Sequence, residues 1–294
     1  MTPSVLSARL RAAAWFVAGL LLLVVLWEAY KAVGPESGGK ILGWKLLART
    51  DDSSMPHVWD MLRAFARPEI RGSDRSIFSV VLAGAWFTGR MAFAGLLIGT
   101  VVGLGLAVLM ARFNLLRKAM LPYIVLSQTV PLIALAPLVV SWGGRLELFG
   151  VQWQKWTSAS TISAFLAFFP ISVGALRGLL SPAPAAVELM DSYAASWWPT
   201  LVKLRLPASV PYLVPAMKLA ASGAVVGTIV AEISTGLRGG IGRLIIEYSR
   251  EGTSQPAKVF TALLGAAALG LVFAGLVSAA DAYSSRHRPK EMPA

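Results

Sequence analysis

Residues 188–215 read ELMDSYAASWWPTLVKLRLPASVPYLVP, a polar and aromatic-rich connector between two long apolar segments. The spacing predicts a short amphipathic helix, a second short helical piece, and a break at Leu206-Pro207 into another membrane span. A structured polar connector is costly to keep in a membrane protein unless a partner docks on it. This stretch is therefore the strongest pointer to function in the chain.

Around it, composition sets the class. Of 294 residues, 56% are hydrophobic and 14% charged, and mean hydropathy is +0.64, outside the range of soluble globular domains. Several apolar runs reach the roughly 20 residues needed to cross a bilayer core. The net charge of +12 lies beside these runs, where headgroup contact and topology account for it. No basic patch with interleaved aromatics stands outside the spans, which argues against nucleic acid as a partner. There is no cysteine, so disulfide and thiol chemistry are excluded.

Six spans are predicted, near 12–33, 77–110, 120–142, 158–178, 208–233 and 259–283. Arg9 and Arg11 precede the first, but its apolar run continues through Val33 without a small-residue cleavage site, so it reads as a retained helix. Residues 34–76 are the largest polar segment. His57 to Ala66 has helical apolar spacing and suits an amphipathic helix on a membrane surface. Gly99, Gly103 and Gly105 in the second span, and Gly265, Gly270 and Gly275 in the last, predict close helix approach. The positive-inside rule leaves orientation open, because eight Lys and Arg fall in residues 31–85 among acidic neighbours.

Polar groups inside spans are functional candidates. Arg90 and Lys218 would attract an anionic solute or snorkel to an interface. Ser127, Gln128 and Thr129, close to Pro131, suit the lining of a path or hydrogen bonds between helices. Glu232 reads as a brace for an outer loop, and Asp281 as solvated. His57 and His287 are isolated in sequence, and no metal site is expected. Gly34 to Ile41 (GPESGGKI) imitates a phosphate-binding loop, but Ile41 lacks the magnesium-binding hydroxyl and the stretch follows a span rather than a strand.

The 188–215 stretch resembles the "EAA" loop of ABC-importer permeases: E-A-A, three residues, G, then about nine residues before hydrophobic-x-L-P. Glu188 holds the first position, Ala194 stands where the glycine is expected, and Leu206-Pro207 closes the pattern. Leu135-Ala136-Pro137-Leu138, Trp142-Gly143, Phe168-Phe169-Pro170, Pro211-Tyr212-Leu213 and the run from Gly227 to Glu232 are also similar to that family. The resemblance covers about residues 77 to 283. Leu189 and Met190 replace the two alanines, changes that should preserve docking. The style of the loop resembles the nitrate, sulfonate and taurine branch, and within it the permeases for pyrimidine thiamine precursors or riboflavin.

The resemblance implies an all-α, polytopic fold of the type I importer permease kind, with a short cytoplasmic coupling helix. It divides the chain into an N-terminal helix and outer segment (1–76), a permease core with its loop at 185–207 (77–283), and a cytoplasmic tail (284–294). Both termini would be cytoplasmic at a bacterial inner membrane, with 34–76 and 234–258 outside. The implied partners are a cytoplasmic ABC ATPase dimer, an extracytoplasmic solute-binding protein, a second permease copy and the lipid bilayer. ATP and Mg would sit on the ATPase, and no cofactor on this non-catalytic chain. The implied coupling residues are Glu188, Asp191, Tyr193, Ala194, Ser196, Trp197, Leu206 and Pro207. Glu188 and Asp191 are expected in the first turns of the coupling helix, where its dipole favours negative charge. Tyr193, Trp197 and Trp198 supply area for an interface or for a membrane-boundary belt. The cargo would be a pyrimidine vitamin precursor, riboflavin, a sulfonate or taurine, or nitrate. An ATPase-independent secondary transporter or channel is the alternative; it predicts intramembrane coupling carboxylates or inverted repeats, and neither is present.

Overall fold

A computed structural model describes residues 3–41, 44–70, 72–148, 151–251 and 255–284. In chain order run α1 (Pro3–Val33), β1 (Gly39–Ile41), β2 (Trp44–Leu47), α2 (Val58–Ala64), α3 (Ile77–Arg112), α4 (Asn114–Leu126), α5 (Leu132–Gly143), β3 (Glu147–Leu148), β4 (Val151–Gln152), α6 (Lys155–Leu179), α7 (Pro184–Ser192), α8 (Trp197–Thr200), α9 (Leu206–Thr235), α10 (Ile241–Arg250) and α11 (Pro256–Ser284). The architecture is all-α. Among the described residues the β-structure is two short antiparallel hairpins, β1–β2 and β3–β4, and an isolated bridge between Pro68 and Ser76. The expected 284–294 tail lies almost wholly outside the described residues, as does His287.

Among the described residues five helices are long and apolar enough to cross a bilayer, and α4 with α5 make a sixth if that bent pair is one span. The pair falls where a span near 120–142 is expected, and it is sharply bent. The two helices meet at 102°, separated by a 3-10 turn at Ser127–Thr129. The physical cause is Pro131. Its ring forces Val130 into an extended conformation (φ −71°, ψ 124°), which no helix can continue through.

The chain divides into two compact units, Met1–Val80 with Glu247–Ala262, and Val81–Ile246 with Leu263–Ala294. Residues 247–262 lie in the first unit together with residues 1–80. Within that unit the end of α1 holds the polar segment by side chains. Lys31 Nζ donates to the carbonyls of Thr50 (3.1 Å) and Met55 (2.6 Å) and to Asp52 (2.7 Å). The hydrogen bond and the charge of Lys31 hold the Asp52 carboxyl below the usual carboxylate range. Glu28 accepts from the Val58 amide at 2.8 Å, capping α2, and lies 2.7 Å from His57 Nδ1. His57 is thus paired rather than isolated. Helix α2 is only seven residues long, and its Met61 and Ala64 are buried within the protein, so the expected surface-lying helix is shorter and partly enclosed. Lys258 is buried too, donating to the Glu69 carbonyl (2.9 Å) and Glu251 (2.6 Å) above the Tyr248 ring.

The second unit is built on small residues. Helix α6 buries thirteen of its 25 residues, including Ser158, Ala159, Ser160, Ser163, Ala164 and Ala167, and packs along α9. On α3, a Cβ at Gly99 would lie 2.8 Å from that of Ala167, and one at Gly103 would lie 2.9 Å from the Phe168 carbonyl oxygen. Only glycine permits α3 and α6 to approach this closely. Ser163 Oγ donates to the Ala224 carbonyl at 2.9 Å and lies 3.4 Å from that of Ala92, joining α6 to both neighbours. Gly105, Gly270 and Gly275 face open space, so the expected packing role belongs to Gly99, Gly103 and also Gly265, whose added Cβ would meet Val81.

Glu232 is completely buried near the end of α9. Its carboxyl oxygens accept from Thr88 Oγ1 (2.8 Å) and the Gly242 amide (2.7 Å), and Thr88 accepts from the Ile241 amide (2.9 Å). Together they satisfy two first-turn amides of α10 and tie it to α3 and α9. Glu232, expected to brace a loop, thus braces the start of α10. Glu232→Ala strands two buried donors, the Thr88 hydroxyl and the Gly242 amide, and should cost about 3 kcal/mol. We expect a clearly lower melting temperature of the solubilised protein, with Glu232→Gln recovering most of the loss. Equal melting of the Ala variant and the parent would contradict the brace.

Candidate functional site

The coupling-loop candidate begins with Ser181-Pro182-Ala183-Pro184. Pro184 occupies the start of α7, where its fixed φ suits a helix and its missing N–H costs nothing. This early start moves Glu188 to mid-helix and Asp191 to the last turn, and no acidic residue lies in the first turn. The dipole argument for these two carboxylates is thereby corrected. Both are exposed, as are Tyr193, Ala194 and Ser196, and no residue of α7 is buried.

The helix ends in a tight reversal. The Ala195 amide donates to the Met190 carbonyl (3.0 Å) and the Ala194 amide to that of Asp191 (2.9 Å), the paired bonds of a Schellman motif. The motif requires a left-handed residue, and Ala194 supplies it with φ 52°, the one non-glycine residue with positive φ among those described. The position where the family pattern carries glycine is thus the position where the backbone requires one. Alanine holds it at a cost of roughly 1 kcal/mol.

Ser196 precedes α8 in an extended conformation, and its carbonyl accepts from the Thr200 amide (3.2 Å) and hydroxyl (3.1 Å). Beyond α8 the expected break at Leu206-Pro207 is absent. Trp197–Thr235 is one continuous apolar helical run of 39 residues, carried past the proline by a π turn at Leu201–Arg205. Pro207 cannot donate a backbone hydrogen bond, and the wider turn upstream accommodates the lost rung without ending the helix. Both Leu206 and Pro207 lie in the first turn of α9.

Two contacts fix this assembly to the bundle, and the sequence alone did not reveal them. Arg112, at the end of α3, places its guanidinium 5.3 Å from the Trp197 ring. Arg205 Nη1 donates to the Leu179 carbonyl at the end of α6 (3.0 Å). Trp197 and Trp198 meet edge to face at 5.3 Å, with Trp197 half-buried and Trp198 exposed. The signal for Arg112 and Arg205 was only a basic residue near a span end, which many residues here share.

The path candidates are not gathered in one place. Ser127, Gln128 and Thr129 form the turn between α4 and α5. The hydroxyls of Ser127 and Thr129 donate to carbonyls of their own helix, Ile124 (2.7 Å) and Leu126 (2.8 Å), and Gln128 Nε2 lies 3.4 Å from Ser127 Oγ. Lys218 is half-buried on α9. Arg90 lines a separate cavity with Gln154 and Lys155, at the end of α6 opposite α7. No group of three or more His, Asp or Glu able to hold a metal exists among the described residues. The phosphate-loop imitation runs into β1 of a hairpin rather than a helix, so it lacks the helix N-terminus that cradles phosphate.

Residues 95–286 match the family described as binding-protein-dependent transport system inner membrane component. The chain is 32% identical over 170 residues to a probable ABC transporter permease protein of Haemophilus influenzae, covering 58% of this chain and 64% of that protein. It is 30% identical over 181 residues to the formylaminopyrimidine transport permease protein ThiX of Halalkalibacterium halodurans, covering 60% and 68%. It is 28% identical over 170 residues to the riboflavin transport system permease protein RibX of Chloroflexus aurantiacus, covering 57% and 59%. The chain thus spans less than two thirds of the length of the first and third of these relatives. A solved structure titled "Crystal structure of an amino acid ABC transporter with histidines" superposes with a TM-score of 0.54 at 16% identity, over 72% of this chain and 95% of that one, which shows the shared fold. This chain belongs to the family of binding-protein-dependent transport system inner membrane components.

Proposed function

We propose that this chain is the membrane-spanning subunit of an ATP-driven importer, with α7 and α8 as the seat of a cytoplasmic ATPase. The observation that carries the reading is the exposed α7, ended by a rigid reversal and joined through α8 to an unbroken helix. A push on α7–α8 reaches α9 without a hinge to absorb it. Arg112 on Trp197 and Arg205 on the end of α6 spread the same push to α3 and α6. Glu188 and Asp191 offer charge to basic groups of the ATPase, and Tyr193 and Trp198 offer apolar area.

In this reading ATP and Mg are held by the ATPase, a second permease copy completes the path, and a solute-binding protein delivers cargo from outside. Both termini lie in the cytoplasm. The broken α4–α5 pair supports a path lining at Ser127, Gln128 and Thr129, because irregular backbone at membrane depth is tolerated where protein or a wet path satisfies it. Cargo of the vitamin-precursor, riboflavin or sulfonate kind follows from what the relatives' names describe.

Three variants test the coupling site. Glu188→Lys and Ala194→Trp should each lower ATPase co-purification and transport by at least about tenfold, while the permease still extracts as a folded protein. Normal assembly and transport with both changes would overturn the docking site. Ala194→Gly relieves the left-handed alanine and should stabilise the chain by about 1 kcal/mol, seen as slower proteolysis within 188–200. Faster proteolysis would count against the Schellman geometry.

A further inference from the structure

Three charge-free runs of sequence meet in one compact unit, and α2 sits among their ends. Residues 12–27 of α1 carry no charge and stop at Glu28, and the runs that open α3 and α11 start after Arg75 and Lys258. Such switches between charged and apolar sequence mark the edge of a hydrocarbon layer. Glu28, Arg75 and Lys258 all belong to the unit made of Met1–Val80 and Glu247–Ala262. This unit therefore straddles a bilayer boundary.

Helix α2 is bonded directly to two of those ends. The Val58 amide donates to Glu28 of α1 at 2.8 Å. Just past α2, the carbonyls of Phe65 and Arg67 accept from the Phe78 (3.0 Å) and Ile77 (2.9 Å) amides that open α3. Ala64 also shares the wall of a small cavity with Ile77 and with Ala257 of α11. The helix is thus pinned at the level where these spans meet the boundary.

Pairs three residues apart divide α2 into three flanks. Met61 and Ala64 are buried within the protein. Asp60 and Arg63, 4.0 Å apart, form a charged flank. Trp59 and Leu62 form an apolar flank and are 46% and 60% exposed. Phe78, at the start of α3, is exposed as well, and its ring meets that of Phe65 edge to face at 6.2 Å. The Trp59 indole is held in place, because His57, itself paired with Glu28, stacks on it at 4.1 Å. An indole fixed at this level suits the headgroup layer, where its apolar body and its N–H are both accommodated.

We propose that α2 is an interfacial anchor, with Trp59 and Leu62 inserted among the phospholipids of this leaflet. Arg63 then lies beside their phosphates and Asp60 faces water. An apolar flank next to a cationic one is the pattern of helices that lie in a membrane surface. The anchor makes the 34–76 segment a platform fixed at the bilayer surface. It holds for either orientation of the chain and does not depend on the importer reading.

The chain has no cysteine, so a nitroxide can be placed at one position at a time in the full-length protein in phosphatidylcholine–phosphatidylglycerol nanodiscs. Power-saturation electron paramagnetic resonance with oxygen and a water-soluble nickel chelate then reads its depth. Labels on Trp59→Cys and Leu62→Cys should lie roughly 5–10 Å below the phosphates, and a label on Asp60→Cys at or above them. Water exposure at 59 and 62 equal to that at 60 overturns the anchor. So does shielding of 59 and 62 from both oxygen and nickel, which means that protein, such as a second copy of the chain, covers the flank. The unaltered chain gives a check that needs no substitution. In nanodiscs doped with a phosphatidylcholine bearing a diazirine at the top of one acyl chain, irradiation should leave adducts on Trp59 or Leu62. Adducts on α1 and α3 with none on α2 overturn the proposal.

Discussion

Everything in the transmembrane core depends on how closely α3, α6 and α9 can approach. Water expels apolar surface from a soluble core, but lipid gives helices no such incentive to associate. What remains is dispersion at short range, which falls away within a fraction of an ångström. Gly99 and Gly103 on α3 and the Ser-Ala face of α6 bring the helices into that range. Ser163 then spends its one hydroxyl proton on the Ala224 carbonyl, so a polar group in the tightest part of the contact is not left unpaired. Many large side chains point outward instead. Leu22, Leu23, Val101, Leu271, Val272 and Leu276 are all exposed, as suits a lipid-facing surface.

With the core held by small residues, the polar demands migrate to its ends. At one end Glu232 and Thr88 absorb the unpaired amides of α10. At the other, Arg205 reaches the Leu179 carbonyl where α6 stops. α3 is held twice, about three turns in by Thr88 to the Glu232 group and at its last residue by Arg112 to Trp197.

The sequence made the candidate spans and the all-α class legible, because a 20-residue apolar run is a strong local signal. It was less informative wherever the deciding term lay between distant residues. Pro131 and Pro207 look alike in sequence, yet one bends the chain by 102° and the other is carried through by a π turn. The difference is whether an upstream turn widens, which no local pattern encodes. Glu188 and Asp191 were expected in the first turns of the coupling helix, but that helix starts earlier, at Pro184, a residue type that serves a first turn as readily as a loop. Helix α10 went unread within a connector, since its N-terminal cap comes from Glu232 and Thr88 and not from an adjacent residue. Ala194 was identified by position, but its left-handed backbone needed the structure.

The π turn at Leu201–Arg205 also sets an angle. A residue added to or removed from a helix turns all that precedes it by about 100° about the axis. The extra residue accommodated in this turn therefore fixes the azimuth at which α8 and the tryptophans leave α9. The loop's aim is stored as a phase in the helix rather than in any contact of the loop itself. A chain with the same loop but one residue fewer before Pro207 would keep every surface group and present them in the wrong direction.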